Sequence, residues 1–166
     1  MYITWKGVTS DSKNVVVNSM PFMSPEERLD VRECEGRDGA DYTGLGYMPY
    51  VIPCRMTLLP GANLDDVKAW LTGSSTLLRS DDPLKQQTAR ISTSINWTQV
   101  YSTREIQVDF IIKDPYRYLI TEANTVISSF PGAVVNAGTV LSRPLLKVTG
   151  TGTVVFVVNG VSITYI

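Results

Sequence analysis

Residues 28–39 read Arg28-Leu29-Asp30-Val31-Arg32-Glu33-Cys34-Glu35-Gly36-Arg37-Asp38-Gly39, and they decide how the rest of the chain is read. The first eight alternate. Leu29, Val31, Glu33 and Glu35 fall in one phase, with Asp30, Arg32 and Cys34 in the other. Period-two alternation is the mark of a strand. The Gly-Arg-Asp-Gly segment that follows is a strong turn signal. Tyr47 to Leu59 supplies a returning strand, and 40–46, with two more glycines, forms a broad tip. Residues 26–59 therefore read as one long hairpin whose faces are largely polar. A two-stranded ribbon alone is marginal in water. It either lies over its own sheet or is an arm that completes itself on a neighbour.

Outward from this ribbon, most of the chain is strand-like. Val15 to Val17, between Asn14 and Asn18, reads as a short strand, and Pro21 and Pro25 interrupt any ladder after it. One helix is expected. Asn63 is its N-cap, Asp65 and Asp66 lie in its first turn, and Leu64, Val67, Trp70 and Leu71 share a face before Gly73 closes it. Trp70 is expected as a core plug beneath a sheet. Residues 74–83 read as a Ser- and Asp-rich connection, followed by strands at about 88–97 and 104–112. In the latter, Ile106, Val108 and Phe110 alternate with Glu105, Gln107 and Asp109, a half-buried pattern with Phe110 as a core anchor. Asp114-Pro115 stops it. From Asn124 onward Arg143 and Lys147 are the only charges, and Val134-Val135, 145–148, 154–158 and 161–166 read as strands. About forty residues are too few for a two-sheet sandwich. The chain is thus mainly β. A β-sandwich or barrel domain with one helix and the long hairpin, laid over its own sheet or protruding as an arm, spans 1–123, and a partial second β-sandwich spans 124–166.

Composition narrows the function. The 166 residues carry a net charge of −1 and no histidine, and 19% of them are charged. Without histidine the commonest general base and metal ligand are missing. Two cysteines, Cys34 and Cys54, do not make a zinc site, and they read as reduced thiols. Glu26-Glu27, Asp65-Asp66 and Asp81-Asp82 are each adjacent in sequence, so their side chains diverge and do not face one substrate. Gly44-Leu45-Gly46 and Gly150-Thr151-Gly152 lack the strand-then-helix setting of phosphate cradles. Trp97 and Tyr101 are expected to flank a hairpin as a cross-strand pair, with sugar or base stacking as the alternative. No catalytic residue, metal site or cofactor is expected, and no run approaches the roughly 20 apolar residues of a membrane span. Residues 1–83 carry 8 basic and 12 acidic groups and residues 84–166 carry 7 and 4, a split that suits contacts between copies.

Several features fall in the order of one family. Tyr2 and Trp5 open the chain, and Gly36-Arg37-Asp38-Gly39 makes the turn. Trp70-Leu71 ends a helix and precedes Leu77-Leu78-Arg79-Ser80-Asp81. An alternating strand then runs into Asp114-Pro115-Tyr116-Arg117-Tyr118-Leu119. Across about 120 residues this arrangement resembles the distal tail proteins of long, flexible-tailed bacteriophages. Asn136-Ala137-Gly138-Thr139 and Arg143-Pro144 are similar to the start of that family's second, galectin-like domain.

The resemblance implies a structural virion protein at the phage tail tip, made in the host cytoplasm and acting with no enzyme activity. Six copies would close into a ring through a belt hairpin laid on the neighbour. The ring would join the tail tube protein to tail-tip hub or baseplate proteins, and DNA would pass through its lumen without specific binding. On this reading Arg28, Arg32, Gly36, Arg37, Asp38, Gly39 and Tyr47 form the oligomer interface, and Trp70, Phe110 and Tyr116 anchor the core. The acidic side chains Glu33, Glu35, Asp38 and Asp41 would face the lumen or a neighbour's basic half. The competing readings are a tail-tube or tail-completion protein and a carbohydrate-binding module built on Trp97 and Tyr101.

Overall fold

A computed structural model of the chain describes residues 1–92, 94–121, 125–129, 131–136, 138–139 and 145–165. In chain order the elements are β1 (Ile3–Trp5), β2 (Val8–Thr9), a 3-10 turn at Asp11–Lys13, β3 (Val15–Ser19), β4 (Glu27–Glu33), β5 (Ala40–Tyr47) and β6 (Tyr50–Leu58). Then follow α1 (Leu64–Trp70), β7 (Ser74–Arg79), β8 (Asp82–Ile91), α2 (Trp97–Thr103), β9 (Glu105–Ile112), β10 (Tyr118–Leu119), β11 (Val154–Val158) and β12 (Val161–Tyr165). The chain is mainly β, and it divides into two compact units, Met1–Ala123 and Asn124–Ile166.

In the first unit one sheet runs β2-β1-β7-β8-β9-β6-β3, with β10 added beside β8. It curls into a half-barrel. Its ends approach each other where the Val17 amide donates to the Met1 carbonyl at 3.4 Å. The Ser10 amide donates to the Ile3 carbonyl at 2.8 Å, and the Val15 amide to the Ser10 carbonyl at 3.0 Å. The core fills the inside of the curl. β9 alternates as its sequence predicts, with Ile106, Val108, Phe110 and Ile112 inward. β6 does the same with Ile52, Cys54, Met56 and Leu58. Trp5 packs edge-on against Phe110 at 5.3 Å.

Helix α1 closes the curl. Asn63 caps it by accepting from the Asp65 amide at 3.0 Å and the Asp66 amide at 3.4 Å. Val67 and Trp70 are buried beneath it, and Trp70 Nε1 donates to the Trp5 carbonyl at 2.9 Å. Trp70 and Phe110 are core anchors as read from the sequence.

Four expectations are corrected. The strand that returns along β4 is β5, not 47–59; Tyr50 to Leu58 is an inner strand of the main sheet, flanked by β9 and β3. Burial explains the reassignment, because four apolar side chains of β6 are worth more inside the half-barrel than on an exposed ribbon. Residues 74–79 form β7, paired with β1 and β8, and are not a loop. A second helix, α2, carries Trp97 and Tyr101, so they are not cross-strand partners; Trp97 packs against the core and Tyr101 points to solvent. Tyr116 is 37% exposed and not a core residue, because Asp114-Pro115 leads the chain out of the sheet before it.

In the second unit the described residues contain one hairpin, β11–β12, with Phe156 edge-on to Tyr165 at 6.0 Å. Val134-Val135 and 145–148 are not strands. Ala137, Arg143, Pro144 and Ile166 lie outside the described residues.

Candidate assembly surface

β4 and β5 make a sheet of their own. Leu29 pairs with Gly44, Asp30 with Thr43, Val31 with Tyr42, Arg32 with Asp41 and Glu33 with Ala40. Directly opposed residues share a face. One face therefore carries Leu29, Val31 and Tyr42 with the small Ala40 and Gly44, and Glu33 stands at its tip end. The other carries Asp30, Arg32, Asp41 and Thr43. The ribbon is amphipathic, whereas composition suggested polar faces on both sides. Leu29, Val31 and Tyr42 are 45%, 50% and 66% exposed, so the described residues leave them largely open to water.

The tip needs its glycines. Gly36 and Gly39 have φ of +82° and +91°, a region that side chains with a Cβ rarely adopt. The Arg37 amide donates to the Cys34 carbonyl, and the Arg37 guanidinium meets Asp41 at 3.5 Å. Arg32 bonds Asp30 at 3.1 Å, and Arg28 reaches the Leu45 carbonyl at 3.4 Å. Asp38 lies exposed in the turn. Exposed pairs of this kind are worth ~0.2–1 kcal/mol each. They stiffen the ribbon and leave its register to the backbone ladder.

At the base, the register gains one residue in β5 between Gly44 and Tyr47. Gly46, at φ +102°, lies in this bulge. A bulge re-aims the side chains that follow it, and here Tyr47 meets Tyr116 edge-on at 6.3 Å. The Met48 amide donates to the Glu26 carbonyl at 2.7 Å, closing the base.

The arm is fixed to the half-barrel by a node around Arg79. This guanidinium donates to both carboxylate oxygens of Asp81, at 2.9 and 2.7 Å, and to the carbonyls of Pro21 and Met20, at 3.0 and 2.6 Å. Phe22 lies 3.8 Å from the same group and 5.2 Å from Arg117, and Arg117 bonds Asp82 at 2.6 Å. The hydrogen bonds from Arg79 hold the Asp81 carboxyl below its ordinary pKa, outweighing a smaller opposing effect of burial. The segment entering the arm is thus held by a buried cation. Sequence reading missed this node, although Arg79 shares the inward phase of Leu77, and a charge on a core face calls for partners.

Two of the three carboxylate pairs are seen to diverge as expected. Asp81 and Asp82 serve different arginines, while Asp65 bonds Lys68 and Asp66 meets Lys13 at 3.9 Å. Cys34 is exposed and Cys54 is buried, both as free thiols; burial pushes the Cys54 thiol up to about 12.

The architecture defines a class by shape: a curled, mainly β half-barrel closed by a short helix, with an amphipathic two-stranded arm. No protein-family model matches the chain, and no curated protein matches it. Among solved structures it is similar in fold to the Dit protein (gp 19.1) of SPP1, described as a paradigm of the hub adsorption apparatus in phages that infect Gram-positive bacteria. The TM-score is 0.54 at 13% sequence identity, over 71% of this chain and 51% of that one. The chain therefore spans about half the length of the protein it matches, and the likeness is one of fold.

Proposed function

We propose that the chain is a structural, non-enzymatic component of a bacteriophage tail tip. Copies of it associate into a ring, six-membered as in the family it resembles, that joins the tail tube to the tail-tip hub or baseplate. DNA passes through the ring without specific contacts, in keeping with a net charge of −1. Residues 124–166 belong, in this reading, to an accessory β-domain of the galectin-like kind.

The observation that carries the proposal is the arm. It extends as a separate two-stranded sheet whose apolar side chains are left open to water. An isolated ribbon gains little from its own ladder, and a closed ring requires one surface of each copy to meet a different surface of the next. The arm supplies the first of those surfaces. The fold shared with a phage Dit protein supports the same reading. Mass photometry with negative-stain imaging tests it. Discrete rings with an open centre are expected, and particles that stay single at high concentration would end it.

A further inference from the structure

We infer that Asn159 is a site of spontaneous deamidation: the Gly160 nitrogen closes on the Asn159 side chain, and water then leaves aspartate or isoaspartate in the β11–β12 turn. The position stands out in the sequence. Of the chain's seven asparagines, six are followed by Val15, Ser19, Leu64, Trp97, Thr125 and Ala137, and Asn159 alone is followed by glycine. A glycine nitrogen is the least crowded backbone nucleophile, because no Cβ stands beside it.

Three features of the hairpin favour the reaction. Val158 pairs with Val161, so Asn159 and Gly160 form a two-residue loop, with φ of +50° and +82°. Positive φ at both positions is the type I′ turn. The loop lies outside the ladder, so the Gly160 amide is not held by the opposite strand. The Asn159 carboxamide is also free to move. Both residues are exposed, a Cβ added at Gly160 would meet nothing within 4 Å, and among the described residues none bonds the Asn159 side chain. By contrast Asn18 donates to Thr57 Oγ1, and Asn63, Asn96 and Asn136 accept from backbone amides. Lastly, β11 and β12 form a sheet of two strands. A ribbon of this kind is marginal and opens locally, which lets the Asn159 backbone rotate until the Gly160 nitrogen faces its Cγ.

The bonds balance with water as the co-reactant. The Gly160 nitrogen gives up its proton and bonds to Asn159 Cγ; the Cγ–Nδ2 bond breaks, and ammonia leaves with that proton. Water then opens the cyclic imide. Breaking the new N–Cγ bond gives aspartate, and breaking the original peptide bond gives isoaspartate, whose main chain runs through the side-chain carbons. Residues 124–166 contain no Asp or Glu, so either product is the first carboxylate there. Isoaspartate also adds a backbone carbon to a loop built for two residues.

The test ages the full chain in mildly alkaline heavy-oxygen water, folded and in denaturant, and reads each asparagine by peptide-mapping mass spectrometry. Heavy oxygen enters only during ageing, so conversion during digestion is not counted. In the folded chain Asn159 is expected to convert at least ~10-fold faster than every other asparagine. Both products should appear, the rate should rise with pH, and Asn159→Gln should stop heavy-oxygen uptake at that position. Folded-state conversion no faster at Asn159 than elsewhere would overturn the inference. So would conversion of Asn159 in denaturant alone, which would show the folded turn holding the side chain away from Gly160.

Discussion

Replacing Asp81 with asparagine tests the node that roots the arm. The side chain of Arg79 is 6% exposed, and Asp81 accepts two of its four hydrogen bonds. Removing one partner of a fully buried ion pair costs ~3–5 kcal/mol. Here Asp81 is 35% exposed, so water replaces part of the lost contact, and the Met20 and Pro21 carbonyls still hold the guanidinium. The expected loss is therefore smaller, about 2 kcal/mol at neutral pH, close to that of one charge-assisted hydrogen bond. For a chain of this size that lowers the melting midpoint by ~4–8 °C.

The pH dependence has a defined sign. Arg79 lowers the pKa of Asp81 in the folded state, so between that value and the unfolded one, about 3.9, the unfolded chain binds more protons. The stabilisation is complete above the unfolded pKa and is lost as pH falls through the folded one. The gap between parent and Asp81→Asn should be full at pH 7 and begin to close below about pH 4. Thermal melts followed by far-UV circular dichroism across this range measure it. A gap of the same size at pH 7 and at the acid end would refute the ion-pair account. So would no gap at pH 7.

Three further substitutions or probes separate core, tip and thiols. Trp70→Phe removes the donor to the buried Trp5 carbonyl and should cost ~1–3 kcal/mol in a denaturant titration, beyond any packing change. Gly39→Val forces a β-branched side chain to φ +91° and should raise amide exchange at the arm tip while leaving the half-barrel's melting midpoint unchanged; a fall in that midpoint would show the tip coupled to the core. Cys34 should react with a thiol reagent in the folded protein, and Cys54, buried with its thiol pushed up to about 12, only on unfolding. One rapid equivalent per chain, rising to two in denaturant, is the expected count.

Local chemistry was legible in the sequence. The Asn63 cap, the apolar face ending in Trp70, the alternation through Phe110 and the glycines around Arg37-Asp38 each act over a few residues, and each reappears in the structure. Other local signals were hidden by composition. Residues 40–47 contain two glycines, poor strand formers, and become β5 because β4 offers a complete ladder. Asn96 caps α2 by accepting from the Gln99 amide at 3.2 Å, but Trp97, Thr98, Val100 and Tyr101 favour strands and obscured that cap.

What only the tertiary structure decided was pairing and facing. Hydrophobic alternation marks Ile52 to Leu58 as a strand, but it does not say which strand lies beside it; the half-barrel claims β6 because burying its inward face outweighs ribbon pairing. The same holds for Arg79, whose four hydrogen bonds go to three residues, two to fifty-nine positions away in sequence. A chain's sequence specifies local conformation through neighbours within a turn or so. It specifies which distant surfaces meet only through the summed burial of the whole fold, and that sum left the Leu29–Val31–Tyr42 face uncovered.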